Sequence, residues 1–252
     1  MFARRRRNRI LAAPFPATWD AIIDENVALA RRLAPGPRQR LRDLVHVFVA
    51  EKYWEGCGGL ELTEEMQVTI AAQSCLLALG RAGDSLFTDV MSILVYPSTV
   101  ITAPQRLGLF EQPRTPIGHA QAVIGEAMLG GPVVLAWDAV LAGGREDMPG
   151  NVVLHELAHK LDMETGRING TPSLPDRAAR DRWAAVCSVA YARHRTAVAN
   201  GYPTLMDAYG ATNEAEFFAV ATETYFTRPF HLQYEHPDLC VLLDDYYRFP
   251  FA

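Results

Sequence analysis

Apolar residues recur every three or four positions along much of this chain, which predicts a largely helical protein. The first such stretch covers residues 19–33 and ends at a Pro-Gly-Pro sequence. A second stretch carries apolar residues over 41–49 and stops near the glycines of residues 56–59. Thr63 opens a third stretch, which is apolar on nearly every side as far as Gly80. This third helix is therefore predicted to lie at the centre of the fold.

The sequence in the middle of the chain is typical of short β-strands. Residues 92–97, Ser-Ile-Leu-Val-Tyr-Pro, form a short apolar run, and residues 132–137, Pro-Val-Val-Leu-Ala-Trp, form another. Between them, residues 98–131 hold several prolines and glycines and are expected to contain one or two weaker strands. The run at 133–137 suits either an edge strand that pairs with an extended peptide or a strand inside the core.

Helical periodicity returns in the last part of the chain. A loop rich in glycine, proline and asparagine is predicted at residues 164–175. Helices are predicted on both sides of it, over residues 152–162, 176–199, 213–226 and about 237–247. One block of strands among these helices indicates a predominantly helical protein of the α+β class.

The helix predicted over residues 152–162 carries the pattern His-Glu-x-x-His. A spacing of four places His155 and His159 one turn apart on the same face, so both imidazoles can converge on one cation. Glu156 then lies beside that cation, where a general base can take a proton from a water of lowered pKa. Histidine is scarce, with seven in the chain, so a chance match is rare. A metal site is therefore favoured over two hydrogen-bonded core histidines.

A catalytic zinc site needs a third protein ligand from elsewhere in the chain. The metzincin pattern is absent, because Asp162 and Thr165 stand where it would place glycine and histidine. The remaining candidates are acidic: Glu216, Glu223, Asp207 and Asp162. Glu216 also fits a capping box with Asn213, and Glu223 could instead bind the second ring nitrogen of a ligand histidine. Spacing alone leaves this choice open.

Composition and charge exclude several classes of protein. The 252 residues are 49% hydrophobic and 21% charged, as in ordinary globular proteins. A net charge of -5 argues against direct binding to nucleic acid. No apolar run has the length of a signal peptide or a membrane span, so no membrane contact is expected. Four scattered cysteines without a Cys-x-x-Cys pair indicate a reducing, cytoplasmic location.

The chain is predicted to fold as one domain with a short tail. Arginines at positions 4–7 and 9 predict a flexible basic tail over residues 1–16. Residues 17–252 are expected to form a single domain, with a helical part at 17–85 and a part containing the sheet and active site at 86–252.

His231 and His236 lack metal-ligand spacing to another histidine and are interpreted as ordinary loop histidines.

Several motifs together resemble the Mlc titration factor A family of bacterial zinc metallopeptidases, whose catalytic domain is similar to that of anthrax lethal factor. The resemblance covers most of the chain beyond the tail. Its motifs are HELAHKLD at 155–162, DAY at 207–209, EAEFFAV at 214–220, ETYF at 223–226, ILVYP at 93–97 and GPVVLAW at 131–137. The resemblance implies a zincin-like domain with a small mixed β-sheet beside the His-Glu-x-x-His helix. One departure is Glu214, where members commonly have proline.

The family's site residues can be carried onto matching positions of this chain. They imply a gluzincin-like site with one zinc ion per chain, held by His155, His159 and Glu216. The catalytic glutamate matches Glu156, and the tyrosine seven residues before the ligand glutamate matches Tyr209. In the mechanism implied, Tyr209 donates a hydrogen bond to the oxyanion that develops during peptide hydrolysis.

The resemblance implies two functions of different classes. The first is a peptidase of the aminopeptidase type, which acts on peptides or proteins. The second is a regulatory protein that binds a glucose-responsive transcriptional repressor. The intact Glu156 favours the enzyme, because a site used only for binding has no need of a general base.

Overall fold

A computed structural model of the chain describes residues 2–81, 87–98, 100–101, 122–123, 125–127, 131–146 and 148–251. The helices are α1 Phe2–Leu11, α2 Ala17–Asn26, α3 Ala28–Arg31, α4 Pro35–Glu51, α5 Glu64–Leu76, α6 Trp137–Gly143, α7 Val152–Met163, α8 Arg177–Ala199, α9 Glu214–Thr227, α10 Pro229–Glu235 and α11 Pro237–Tyr247. A 3-10 helix, η1, covers Ala208–Ala211. The strands are β1 Tyr53–Gly56, β2 Ser92–Tyr96, β3 Val100–Ile101, β4 Ala122–Val123, β5 Gly125–Ala127 and β6 Val133–Ala136. This composition confirms a predominantly helical α+β fold.

The main sheet is small and mixed, as predicted. Its strand order is β1-β2-β6-β5, in which β1, β2 and β6 run parallel and β5 pairs antiparallel with β6. Alternate residues of β2 and β6 are buried, because successive side chains of a strand point to opposite faces. The alternating buried members are Ile93, Val95, Val133 and Leu135, and Ala136 at the end of β6 is buried as well. The run at 133–137 therefore begins as an interior strand, paired on both sides, and is not the edge of the sheet.

Helix α7 lies in the core, between the sheet and two other buried helices. It packs against β5 and β6 on one side and against α5 and α9 on others. Five of its apolar side chains are at most 1% exposed: Val153, Leu154, Leu157, Ala158 and Leu161. Burial of each leucine contributes about 1.5–3 kcal/mol, so α7 is held firmly in place. Helix α9 crosses it in the opposite direction, because its start lies near the middle of α7 and its end near Asn151.

Local sequence signals fix where these helices begin. Asn151 accepts a hydrogen bond from the backbone N–H of Leu154 at 3.0 Å, and Asn213 accepts one from Glu216 at 2.9 Å. Thr63 caps α5 in the same way. These side chains satisfy backbone donors that an α-helix leaves without partners in its first turn. The start signals predicted at Thr63 and Asn213 are thus confirmed.

Several elements differ from the predicted pattern. The helix predicted over 19–33 is divided at Val27 into α2 and α3. Strand β1, helix α6 and helix α10 were not predicted, because each is short and gains its stability from packing rather than from local preference. Part of the stretch 98–131, which is predicted to contain weak strands, lies outside the described residues. The described residues of this stretch form β3, β4 and β5.

The basic N-terminal segment also differs from the expected tail. Residues 2–11 form α1, which packs against α4. The Arg7 guanidinium pairs with the Glu51 carboxylate at 2.8 Å, and Arg6 donates to the Ala50 carbonyl. These partners lie 44 residues away, so sequence periodicity could not reveal them.

No helix in the described part of the chain is long and apolar enough to cross a membrane.

The loop after α7 is anchored by a buried carboxylate. Asp162 accepts hydrogen bonds from the backbone N–H groups of Asn169, Gly170 and Thr171 at 2.8–2.9 Å. Gly170 has φ +71°, and an added Cβ would lie 2.3 Å from the carbonyl oxygen of Glu214. The loop is therefore packed directly against the start of α9.

Gly170→Ala should destabilise the protein more than Gly166→Ala, the matched control. Gly166 also has positive φ, but an added Cβ would meet nothing within 4 Å. The control should lower the free energy of unfolding by about 1–2 kcal/mol, the left-handed backbone penalty for an L-residue. Gly170→Ala should have the same backbone penalty and should lower the free energy of unfolding by about a further 1–3 kcal/mol through overpacking. Denaturant unfolding of both variants measures the difference, and equal losses would show that the loop does not press on α9.

Candidate metal centre

Helices α7 and α9 bring three possible ligand atoms to one point. His155 and His159 lie one turn apart on α7, and their Nε2 atoms are 3.2 Å apart. Glu216 projects from α9 and places Oε2 at 3.1 Å from His155 Nε2 and 3.2 Å from His159 Nε2. Among the residues that the structure describes, this group of three has the arrangement to hold a metal ion.

The spacing of this triangle fits a tetrahedral zinc site. Bonds of about 2.0–2.2 Å in tetrahedral geometry place neighbouring ligand atoms roughly 3.4 Å apart, close to the observed edges. The orientation of His155 supports the same conclusion, because its Nδ1 donates to Glu223 Oε1 at 2.7 Å. In a neutral ring, Nε2 then presents a lone pair toward the carboxylate of Glu216. A positive charge at that place, either a proton on Nε2 or a metal ion, accounts for the short distance between Nε2 and Glu216 Oε2.

Glu223 lies behind His155 rather than in the triangle. Its Oε1 accepts from His155 Nδ1, and its Oε2 accepts from the backbone N–H of Asn151 at 2.6 Å. A carboxylate in this position fixes the tautomer and orientation of a ligand histidine. Both oxygens of Glu223 are engaged in this way, so Glu216 is the carboxylate that faces both histidines.

The other two acidic candidates accept hydrogen bonds from backbone N–H groups. Asp162 is fully buried and binds the loop after α7 through its three backbone hydrogen bonds. Asp207 accepts from the N–H of Tyr209 and so caps η1. His231 lies within α10, and His236 separates α10 from α11. Neither histidine belongs to the group of possible ligands found in the described residues.

The electrostatic environment of the triangle favours a positive charge. Burial lowers the pKa of His155, but hydrogen bonds with Glu216 and Glu223 outweigh it and raise this pKa to about 10. Burial raises the pKa of Glu216, but hydrogen bonds from His155 and His159 outweigh it and lower this pKa to about 2. A proton and a metal ion would therefore compete for the same place.

Glu156 differs from Glu216 in its surroundings. It is 5% exposed, and burial raises its pKa to about 7, although His155 and His159 oppose the increase. A pKa near neutrality allows a carboxylate both to accept and to return a proton. The contrast with Glu216 arises from environment, since the two side chains are chemically the same.

Tyr209 lies next to the triangle. Its side chain is 43% exposed, and its hydroxyl donates to Glu216 Oε1 at 3.4 Å. The hydroxyl thus contacts the oxygen of Glu216 that is not in the triangle. His194 supports this segment by donating from Nε2 to the carbonyl of Asp207 at 3.1 Å. Such exposure does not suit a residue whose role is packing in the core.

Nearly the whole chain matches a known family. Residues 2–248 match the family model described as "Glucose-regulated metallo-peptidase M90". The chain belongs to this family of metallopeptidases. Membership implies a metal ion, for which the three grouped side chains provide a suitable site.

Individual relatives agree with this assignment. An uncharacterized protein of Synechocystis is 35% identical over 247 residues, which cover 96% of this chain and 87% of that protein. Mlc titration factor A of Klebsiella pneumoniae is 31% identical over 217 residues, covering 81% of this chain and 76% of that protein. The protein of the same name from Cronobacter sakazakii is 29% identical over 232 residues, with 86% and 80% covered. The resemblance to the Mlc titration factor A family is thus confirmed.

Three residues that support the centre were not singled out from the sequence. Asn151 was expected only to open a helix, yet its backbone N–H also holds Glu223. His194 holds the segment that carries Tyr209. Lys160, one of two lysines in the chain, donates to the carbonyl of Gly131 at 2.8 Å and ties α7 to the start of β6. The signal in the sequence is the position of this rare lysine, directly after the second histidine.

The two glutamates of α9 should differ in their effect on zinc affinity. Glu216→Ala removes a group from the triangle, so we expect zinc affinity to fall by more than about 100-fold. Glu223→Ala leaves the triangle complete and should weaken affinity by about 10- to 100-fold, as changes behind a ligand histidine typically do. Competition with a chromogenic chelator measures both constants. The opposite order of effects would show that Glu223 is the ligand.

Proposed function

We propose that the protein is a zinc-dependent peptidase with one zinc ion per chain. The observation that carries the proposal is the triangle of His155 Nε2, His159 Nε2 and Glu216 Oε2, with Glu156 buried next to it. Family membership supports the reaction class, and the spacing of the ligand atoms supports zinc. When bound, zinc would polarise the substrate carbonyl and lower the pKa of a water molecule.

Glu156 is proposed as the general base. It follows the first histidine directly on α7, and its pKa of about 7 suits a group that is half deprotonated near neutrality. It would accept a proton from the attacking water and deliver that proton to the leaving amine. Both transfers use one carboxylate, so no second acid is required for the leaving group.

Tyr209 is proposed to stabilise the oxyanion that forms during the reaction. The residue is exposed, and its ring centroid is 6.1 Å from that of His155. The hydroxyl would leave Glu216 Oε1 and donate to the developing negative charge, where a donor contributes most to rate. The backbone of η1, fixed by Asp207 and His194, limits how far this hydroxyl can move.

The substrate is proposed to be a peptide that is cleaved in aminopeptidase fashion. The family resemblance supports the aminopeptidase type. Within the described residues, β1 and β5 are the two outer strands of the main sheet, and β5 packs against α7. An extended peptide could add to that side by backbone hydrogen bonds, a common mode of peptide recognition.

A regulatory function is the second candidate. Relatives at about 30% identity bear the name Mlc titration factor A, and the family description contains the term glucose-regulated. We infer that this chain could bind a transcriptional repressor protein in the cytoplasm, with peptidase activity secondary. Such binding requires a surface and no general base, so loss of Glu156 distinguishes the two functions.

Glu156→Gln should retain zinc and lose activity. The substitution keeps the shape of the side chain and removes the base, so hydrolysis of amino-acid anilides should fall by about two to four orders of magnitude. Glu214→Gln is the matched control, since it makes the same change on an exposed carboxylate of α9. Near-wild-type activity in zinc-loaded Glu156→Gln would favour the regulatory function.

Tyr209→Phe should lower kcat by about two orders of magnitude or more, because it deletes a hydrogen bond made chiefly in the transition state. KM and zinc content should change little. Tyr202→Phe is the control, since that tyrosine is also exposed, at 66%, and is not part of the proposed centre. A wild-type kcat in zinc-loaded Tyr209→Phe would remove this hydroxyl from the mechanism.

A further inference from the structure

A pair of buried amide side chains lies behind the metal centre. Gln73 is fully buried in α5, a helix with apolar residues on most sides. Its Oε1 accepts a hydrogen bond from Asn151 Nδ2 at 2.7 Å, and Asn151 is 3% exposed. An amide without partners in such a place would cost about 1–3 kcal/mol. Two amides buried at this place therefore need hydrogen-bond partners.

The polar atoms of both amides are used. Gln73 Nε2 donates to the carbonyl of Val140 at 3.0 Å. Asn151 Nδ2 donates to the carbonyl of Gly143 at 2.8 Å as well as to Gln73. Asn151 Oδ1 accepts from the N–H of Leu154 and caps α7. Both side chains are thus fixed in orientation, because neither amide can turn over without losing bonds at both ends.

The backbone of Asn151 links the two amides to the metal centre. Its N–H donates to Glu223 Oε2, and Glu223 Oε1 accepts from Nδ1 of His155. The space around this segment is tight, since a Cβ on Gly143 would lie 2.9 Å from Asn151 Cα. A Cβ on Gly150 would lie 3.0 Å from Glu223 Oε2. Asn151 and Glu223 are therefore held against each other by a short hydrogen bond in a tightly packed segment.

We propose that Gln73 is a positioning residue for the metal centre, acting through Asn151 and Glu223 on the ring of His155. Capping of α7 needs only Oδ1 of Asn151, whereas Gln73 holds the opposite atom, Nδ2. Gln73 thereby determines where the Asn151 N–H points and, through Glu223, how the His155 imidazole is presented. The inference rests on the proposed zinc site and does not require peptidase activity.

A purely structural role makes a different prediction. The same two amides bind the carbonyls of Val140 and Gly143, near the C-terminal end of α6. If stabilising α6 were their only purpose, loss of Gln73 would lower stability and leave zinc affinity unchanged in folded protein. The two roles can therefore be separated by measuring both quantities on the same variants.

The test is a double-mutant cycle on zinc affinity with Gln73→Leu and Glu223→Gln. In the wild-type background, Gln73→Leu should weaken affinity about tenfold, within the usual range for residues behind a ligand. In the Glu223→Gln background it should change affinity less than about twofold, because the route to His155 is already altered. Chelator competition gives the affinities, and denaturant unfolding of metal-free protein gives the stabilities.

Ser74→Ala provides the matched control. Ser74 is the next residue of α5 and is equally buried, and among the described residues its hydroxyl donates to the Ile70 carbonyl within its own helix. It should lower stability slightly and leave zinc affinity unchanged. If Gln73→Leu does not fold, Gln73→Met replaces it, since methionine keeps the length of the side chain, adapts to the space and lacks the amide. The same tenfold effect and the same dependence on Glu223 are expected.

A second readout is the visible spectrum of the cobalt-substituted protein, which reports ligand geometry. Gln73→Leu should shift this spectrum, and Ser74→Ala should not. Unchanged zinc affinity in the folded variant, or an equal loss in both Glu223 backgrounds, would overturn the proposal. A wild-type protein that binds zinc but cleaves no peptide would contradict the proposed function and leave this test intact. A wild-type protein that binds no zinc would overturn both.

Discussion

The structure depends on the meeting of three electron-pair donors at one partly buried point. His155, His159 and Glu216 place their donor atoms 3.1–3.2 Å apart, where they would repel one another without a positive charge. Without a metal ion, a proton supplies that charge, because the pKa of His155 is raised to about 10, and the surrounding protein holds the three groups together. It does so with a buried helix, α7, and a second buried helix, α9, that crosses it in the opposite direction.

Helix α9 contributes to the centre at two places. Glu216 faces the ligand atoms, and Glu223, two turns later, holds the rear of His155 and the N–H of Asn151. The start of α9 is fixed by its contact with Gly170, in the loop that Asp162 organises. Its other end is tied by Thr227, which donates to the carbonyl of Pro149. One helix is thus anchored at both ends, so its two carboxylates are positioned together.

Two chemically identical side chains acquire different chemistry from different surroundings within this centre. Glu216 accepts hydrogen bonds from two imidazoles, which keeps its carboxylate ionised. Glu156 is more deeply buried, and its pKa is raised to about 7. A pair of carboxylates with separated pKa values is typical of sites that bind a cation with one group and move protons with the other. This division is consistent with membership in a metallopeptidase family.

The sequence by itself determined the features that depend on neighbours along one helix. His155, Glu156 and His159 share a turn of helix in any fold that keeps α7 helical, and Thr63 and Asn213 cap their helices through contacts three residues away. Spacing could not choose between Glu216 and Glu223, and only the family resemblance favoured Glu216. The tertiary structure assigned their places, because the offset between antiparallel helices decides which carboxylate meets which imidazole nitrogen. Gln73 and Asn151, 78 residues apart, meet for the same reason.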